Sequence, residues 1–274
     1  MVAVITGASG GIGRETARVL LQKGWQVICL QRHDCDVKGA QNIKCDITKQ
    51  TEIDAAFAKI DQIDLLINNA GFGVSGCVEY TDMREIRAQF ELNFFAHIAV
   101  TKAALPKLRE SRGRIVFISS AASVFSIPFQ SFYSATKAAQ EAVSFALLNE
   151  LKPFGISACA IRLGDVKTGF TAARQKDFAG DDVYGGAIAR SVAVMESDET
   201  APARRGDGGR QIQSVLPFAK DFARRACQQD RGHDVYAEKL KCKKQPPLQQ
   251  VEHNKKGAPN GAPFLSLELS SFWL

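Results

Sequence analysis

The chain has 274 residues, 45% hydrophobic and 23% charged, the make-up of an ordinary globular protein large enough to hold its core without staples. No apolar run approaches a bilayer span, the opening Val2-Ala3-Val4-Ile5 is strand material that leaves no room for a targeting segment, and none of the four histidines has a ligand-like partner. The net charge of +6 is uneven: residues 1–198 hold 22 basic and 21 acidic side chains, residues 199–274 hold 13 and 8, so the first part gives no reason to expect nucleic acid.

Strand and helix patterns alternate over the first two-thirds. Val2–Thr6 reads as a strand, followed by a glycine loop and a helix over Ile12–Lys23 that Gly24 stops. Gln26–Leu30 and Ile43–Cys45 are the next strands, and Thr51–Ile60 the next helix. Leu65–Asn68 is a fourth strand and Met83–Leu108 a long helix. Arg114–Ile118, a helix over Ser131–Lys152 and a last strand at Ser157–Ile161 complete the alternation, with Pro153 and Gly155 closing the helix. Several strands are nearly all apolar, as strands covered on both faces must be. The pattern predicts an α/β fold, a doubly wound parallel sheet of Rossmann type with six recognisable strands.

Seven cysteines stand at irregular spacings with no C-x-x-C, and several fall inside strands, which suits free thiols in a cytoplasmic setting. The character of the chain changes after about residue 199, where six of the nine prolines lie. The expected division is therefore a first domain over 1–198 and an atypical basic, proline-rich tail over 199–274. A short helix near Val215–Cys227 is the tail's main periodic feature.

Thr6-Gly7-Ala8-Ser9-Gly10-Gly11-Ile12-Gly13 joins the first strand to the first helix. Glycines let backbone approach a pyrophosphate, and the helix N-terminus offers free N–H groups and a positive dipole end to the anion. The spacing reads two ways, with Gly7, Gly11 and Gly13 or with Gly7, Gly10 and Gly13 as the required set, and the loop alone leaves both open.

Four further stretches occur in order: Asn68-Asn69-Ala70-Gly71 after the fourth strand, Asn93 in the long helix, Ser119-Ser120 after the fifth strand, and Tyr133-Ser134-Ala135-Thr136-Lys137 in the next helix. Together with the glycine loop they resemble the classical short-chain dehydrogenase/reductase family over roughly residues 1–198. The resemblance implies hydride transfer between a nicotinamide cofactor and a small or lipophilic carbonyl or alcohol substrate, with Asn93, Ser120, Tyr133 and Lys137 as catalytic residues. The chemistry suits these side chains. A free phenol has a pKa of about 10, and a cation one helical turn away favours phenolate and brings it toward working pH. A serine hydroxyl steadies charge on the substrate oxygen. By resemblance, Asn93 supports a water through which protons reach Lys137, and Lys137 also holds the nicotinamide ribose.

The cofactor-binding set that the resemblance implies is Thr6, Gly7, Ser9, Gly11, Ile12, Gly13, Arg32, Asp46, Asn69, Ala70, Gly71, Tyr133, Lys137, Gly164, Val166 and Thr168. An acid ending the second strand would favour NAD. That position is most simply Gln31, and Arg32 after it can pair with a 2′-phosphate, so NADP is expected over NAD. The counter-reading puts Asp34 at the ribose. Asp46 resembles the family's adenine-contacting aspartate and Thr168 the residue that holds the carboxamide. Leu163 stands where the family has proline, and Gly169–Asp182 is expected to be a mobile substrate loop. Phe125, Ile127, Phe129 and Phe132 are candidates for a lipophilic pocket, with ordinary core or subunit contact as the equal alternative.

The resemblance ends at the tail, where the family adds a helix and a seventh strand that often joins an oligomer interface. Phe264–Leu269 is the best strand candidate, and it lies far downstream. Two readings of 199–274 stay open: a divergent, disordered extension, or translation out of frame. The second is prompted by Arg204–Gly209, which can be back-translated so that the adjacent frame reads Ala-Glu-Thr-Val-Ala, a string like the family's helix before strand seven. The homo-oligomer usual for the family is doubtful with this tail. A non-catalytic NADP-binding regulator, or an enzyme inactivated by its C-terminus, is the competing function. A sugar-nucleotide epimerase lacks its C-terminal substrate domain here.

Overall fold

The computed structural model describes residues 1–164, 166 and 168–200, the last three through their backbone only. The tail readings, including the helix near Val215–Cys227 and the strand at Phe264–Leu269, lie outside the described residues.

In chain order the elements are β1 (Val2–Thr6), α1 (Gly11–Gln22), β2 (Gln26–Gln31), β3 (Gln41–Lys44), α2 (Gln50–Phe57), β4 (Leu65–Asn68), β5 (Val74–Ser75), α3 (Met83–Phe90), α4 (Ala96–Ser111), β6 (Arg114–Ser120), α5 (Ser131–Glu150), β7 (Ser157–Leu163), β8 (Gln175–Lys176) and α6 (Ala187–Thr200). All six predicted strands form, and they pair in parallel in the order β3-β2-β1-β4-β6-β7. β1 and β4 are buried along their whole length, as central strands of a two-faced sheet must be. Val4, Leu30, Leu66 and Phe117 face α2, α4 and α5 on one side; Ala3, Ile5, Cys29 and Ile67 face α1 on the other.

The chain runs outward from β1 through β2 to β3, then returns to β4 and runs outward the other way. The carboxyl ends of β1 and β4 therefore flank the point where the winding reverses, and loops there open a crevice. The Gly7 loop leaves β1 at this point and Asn69-Ala70-Gly71 leaves β4.

Four details depart from the expected elements. The long helix predicted over Met83–Leu108 is broken in hydrogen bonding by a π-helical turn at Glu91–Phe95, in which the Ala96 N–H reaches back to the Glu91 carbonyl. The helix of Tyr133 stops at Glu150, and Pro153 lies in a separate 3₁₀ turn, Lys152–Phe154, closed by Gly155 at φ +71°. The expected substrate loop contains β8, which pairs with β5, and its Thr171 and Arg174 are buried. α6 was not anticipated and runs past the boundary expected at residue 198. Among the described residues β7 pairs with β6 alone, and five cysteines are free thiols. No helix among them is long and apolar enough to cross a membrane.

Candidate active site

The glycine loop resolves its own ambiguity. Gly7 and Gly11 have φ of +70° and +51°, which L side chains rarely adopt. A Cβ on Gly7 would lie 2.8 Å from the Ala70 Cα, and one on Gly13 2.5 Å from both the Asn69 Nδ2 and the Gly7 carbonyl oxygen. Gly10 is extended, at φ −164°, and a Cβ there would meet nothing within 4 Å. The set that geometry requires is Gly7, Gly11 and Gly13.

The cradle is tied from below by the side chains of Thr6 and Asn69. Thr6 is fully buried, and its hydroxyl accepts the amides of Asn69 (2.9 Å) and Ala70 (3.0 Å). Asn69 Nδ2 donates to the carbonyls of Thr6 and Gly7, both at 2.9 Å. Thr6 and Gly13, expected as cofactor contacts, are not on the cavity lining: the threonine hydroxyl is taken up in fastening β1 to β4, and Gly13 packs against Asn69 and the Gly7 carbonyl.

At the outer end of the crevice Gln31 is buried and donates to Asn42 (3.1 Å), while Arg32 is exposed and lines the cavity. Asp34 is not among the lining residues. Asp46 also lines it. Partial burial pushes the Asp46 carboxyl up, but the Thr48 hydroxyl (2.8 Å) and amide (3.1 Å), with Lys49 and Arg32 nearby, hold it below its ordinary value.

At the inner end β6 and α5 bring the candidate catalytic side chains together. Ser120 ends β6, and its hydroxyl accepts the Ala122 amide at 3.2 Å. Tyr133 lies in the first turn of α5, with Lys137 one turn on. The Lys137 ammonium sits 5.8 Å from the centre of the Tyr133 ring and donates to the Ile118 carbonyl (2.7 Å) and to Gln140 Oε1 (3.2 Å). Burial pushes its pKa down to about 8. Asn93 does not reach the cavity. Its amide clamps Phe72, accepting from the Phe72 N–H (3.0 Å) and donating to the Phe72 carbonyl (2.9 Å), and it also donates to Thr136 (3.2 Å).

Several residues at this end were not anticipated. Gln140 donates to the Asn93 carbonyl and contacts His97 Nδ1 at 2.6 Å. Glu141 is buried and takes hydrogen bonds from Ser119 (2.9 Å), from Ser123 and from the Arg162 guanidinium (2.8 Å to each oxygen), so it braces both flanks of Ser120. Arg174 lies 5.0 Å above the Tyr133 ring and 5.4 Å from Phe170 and donates to Gln130 Oε1 (3.0 Å). The helical spacing held a signal for two of them: His97 is four residues after Asn93 and Gln140 three after Lys137, each on the same face. Arg174 arrives from a loop and had none.

Of the four apolar residues proposed for a lipophilic pocket, only Ile127 lines the main cavity. Phe125 is 67% exposed, and Phe129 stacks edge-on against Tyr184 at 5.8 Å. Phe72, Leu92, Phe170, Val194 and Met195 form the apolar wall instead.

One cavity of about 1010 Å³ connects the two ends. Gly7, Ser9, Gly11, Ile12, Arg32, Asp46, Asn69, Ala70, Gly71, Ser120, Tyr133, Lys137, Gly164, Val166 and Thr168 all line it, so fifteen of the expected positions converge on one surface. A dinucleotide fits these residues: Gly7, Gly10 and Gly11 line the cavity without side chains, beside the N-terminus of α1.

The family model for short chain dehydrogenases matches residues 1–179. The chain is 37% identical over 206 residues to a 3-ketodihydrosphingosine reductase of Bacteroides thetaiotaomicron, covering 72% of this chain and 77% of that one. It is 40% identical over 194 residues to a probable short-chain type dehydrogenase/reductase of Helicobacter pylori, covering 67% and 72%. Among solved structures, the ligand-free aldohexose dehydrogenase of Thermoplasma acidophilum matches with a TM-score of 0.67 at 25% identity, covering 81% of this chain and 85% of that one. A 3-ketoacyl-(acyl-carrier-protein) reductase of Brucella melitensis complexed with NADH shares the fold with a TM-score of 0.63 at 23% identity, covering 81% and 88%. This chain belongs to the short-chain dehydrogenase family of oxidoreductases.

Proposed function

We propose that the protein is an NADP(H)-preferring reductase or dehydrogenase acting on a carbonyl or alcohol, with Tyr133 as general acid/base. The observation that carries the reading is the Lys137 ammonium, buried 5.8 Å from the Tyr133 ring on the wall of the cavity that the glycine loop opens into. The glycine loop and α1 N-terminus would hold the pyrophosphate, Asp46 the adenine side, and Lys137 and Thr168 the nicotinamide side. The bound nicotinamide supplies or accepts the hydride. Tyr133 gives its proton to the substrate oxygen in reduction and removes it in oxidation. Lys137, held by Ile118, keeps a positive charge beside the phenol and favours its ionised form. Ser120 donates to the substrate oxygen where charge develops.

Arg32 on the cavity wall, with Gln31 turned to Asn42 and Asp34 outside the lining, supports NADP. The apolar wall around Phe72, Phe170 and Met195 supports a lipophilic carbonyl compound, and 3-ketodihydrosphingosine, the substrate in the name of one relative, belongs in the first panel tested. Phe145 and Leu148 on α5 and Phe154 in the turn after it are exposed apolar residues that would suit contact with another surface, while the atypical tail counts against the homo-oligomer usual for the family. The test is a panel of carbonyl compounds followed through NADPH absorbance. Turnover of at least one ketone, faster with NADPH than with NADH, is expected. Absence of turnover across the panel, with cofactor demonstrably bound, would contradict it.

A further inference from the structure

The Lys137 ammonium is not held by backbone alone. An ammonium only donates, so the oxygen of the Gln140 amide must be the atom that faces it, at 3.2 Å. This fixes the other end of the amide. Gln140 Nε2 carries two protons: one goes to the Asn93 carbonyl, which the π turn of Glu91–Phe95 presents, and the other points at His97 Nδ1, 2.6 Å away. Nδ1 must then carry a lone pair, and the ring proton sits on Nε2. The ring is neutral, since burial first and the Lys137 charge second push its pKa down to about 3. Gln140 and His97 are both fully buried.

We propose that Gln140 and His97 are positioning residues of the hydride-transfer site: Gln140 holds the Lys137 ammonium through its oxygen and is locked in that orientation by the Asn93 carbonyl and the His97 ring. The amide occupies the space between Asn93 and Lys137, and hydrogen bonds run in one direction along it, from Lys137 to Gln140 to His97. The consequence is a tuned lysine. The amide dipole favours the charged ammonium in a pocket whose burial disfavours it, so the charge beside Tyr133 persists. The titratable and charged groups around this cluster are Tyr133 and Glu141 on α5, His97 on α4, Arg162 on β7 and Arg174 above the Tyr133 ring. Glu141 is already engaged by Arg162, Ser119 and Ser123, and Gln140 is the side chain that accepts from the ammonium.

The inference rests on the reading of Lys137 as part of the catalytic site, but its test needs no turnover. The proton equilibrium of Lys137 is read by nuclear magnetic resonance on the full chain labelled at lysine side chains, with Lys137→Met assigning the signal. Gln140→Leu is expected to weaken proton binding to Lys137 about tenfold, the worth of one hydrogen bond to a charged group. Gln140→Glu is expected to strengthen it by at least as much. A residue that merely fills space would move both variants the same way or neither, and that result overturns the proposal. The two His97 variants carry the test if the Gln140 variants do not fold. His97→Leu, which strips the acceptor from the amide, is expected to weaken proton binding in the same direction as Gln140→Leu. His97→Asn keeps an acceptor near the Nδ1 position and is expected to stay within about twofold of wild type. Equal displacement by both would refute the role of the His97 lone pair. Inactivity of the wild-type protein on the carbonyl panel would sink the functional reading and leave these titrations interpretable.

Discussion

The two ends of the cavity are built by different means. The glycine loop is made of backbone: Gly7 and Gly11 take conformations closed to side chains, and Gly13 leaves 2.5 Å where a Cβ would stand. The Tyr133 end is made of buried side chains, with Lys137, Gln140, His97 and Asn93 drawn from two helices and a π turn. The first tolerates almost no change at particular positions because strain is local. The second spreads its demands over a network, so single changes should alter charge and protonation before they alter the fold.

Substitutions in the loop give the sharpest way to break that contrast. Gly13→Ala forces a methyl into the Asn69 amide and the Gly7 carbonyl, and a loss of about 1–3 kcal/mol in unfolding free energy is expected, together with impaired NADPH binding. Gly10→Ala, in open space at extended φ, should lie within about 0.5 kcal/mol of wild type by denaturant titration. Equal effects of the two would mean that the loop is not shaped as described.

At the other end the pH dependence of stability is the probe. His97 binds its proton with a pKa of about 3 when folded, against about 6.5 when unfolded, so the unfolded state takes up more protons between those values. Stability from this residue is intact above about pH 6.5 and falls by about 1.4 kcal/mol per pH unit as pH drops below it. Lys137 works in another window: with a folded pKa of about 8 against 10.5, its burial penalty is complete below about pH 8 and is relieved as pH rises toward 10.5. Chemical denaturation from pH 6.5 to pH 4 should show the acid slope, and His97→Asn should flatten it even if that variant is less stable overall.

The smaller effects concern discrimination. Arg32→Ala should weaken NADPH binding about tenfold to a hundredfold, the range for a lost charge-assisted hydrogen bond, and leave NADH binding within about threefold. Matching losses for both cofactors would move the 2′-phosphate contact elsewhere.

Much of the fold and half of the site were legible in the sequence for a reason that this contrast explains. Apolar runs such as Val2–Thr6 and Leu65–Asn68 mark buried parallel strands, and glycines mark backbone constraints, because each depends on local chemistry alone. The choice between Gly10 and Gly11 needed coordinates, since it turns on a φ value and on the approach of Ala70 and Asn69 from another strand. Gln140, Glu141 and Arg174 were missed because their roles arise only when α4, β7 and the loop after β7 pack against α5. Asn93, expected as a catalytic residue supporting a water, is buried: its amide clamps Phe72 and its carbonyl, in the π turn, meets Gln140. The π turn has no marker in the helical periodicity of Phe90–Phe95.

The central claim is that a phenol next to a buried ammonium moves the proton. Tyr133→Phe tests it most directly, with turnover and NADPH affinity measured on the same preparation. The account predicts a fall in kcat of about 10²–10⁴-fold with NADPH binding within about twofold of wild type. Turnover equal to wild type in that variant would contradict it.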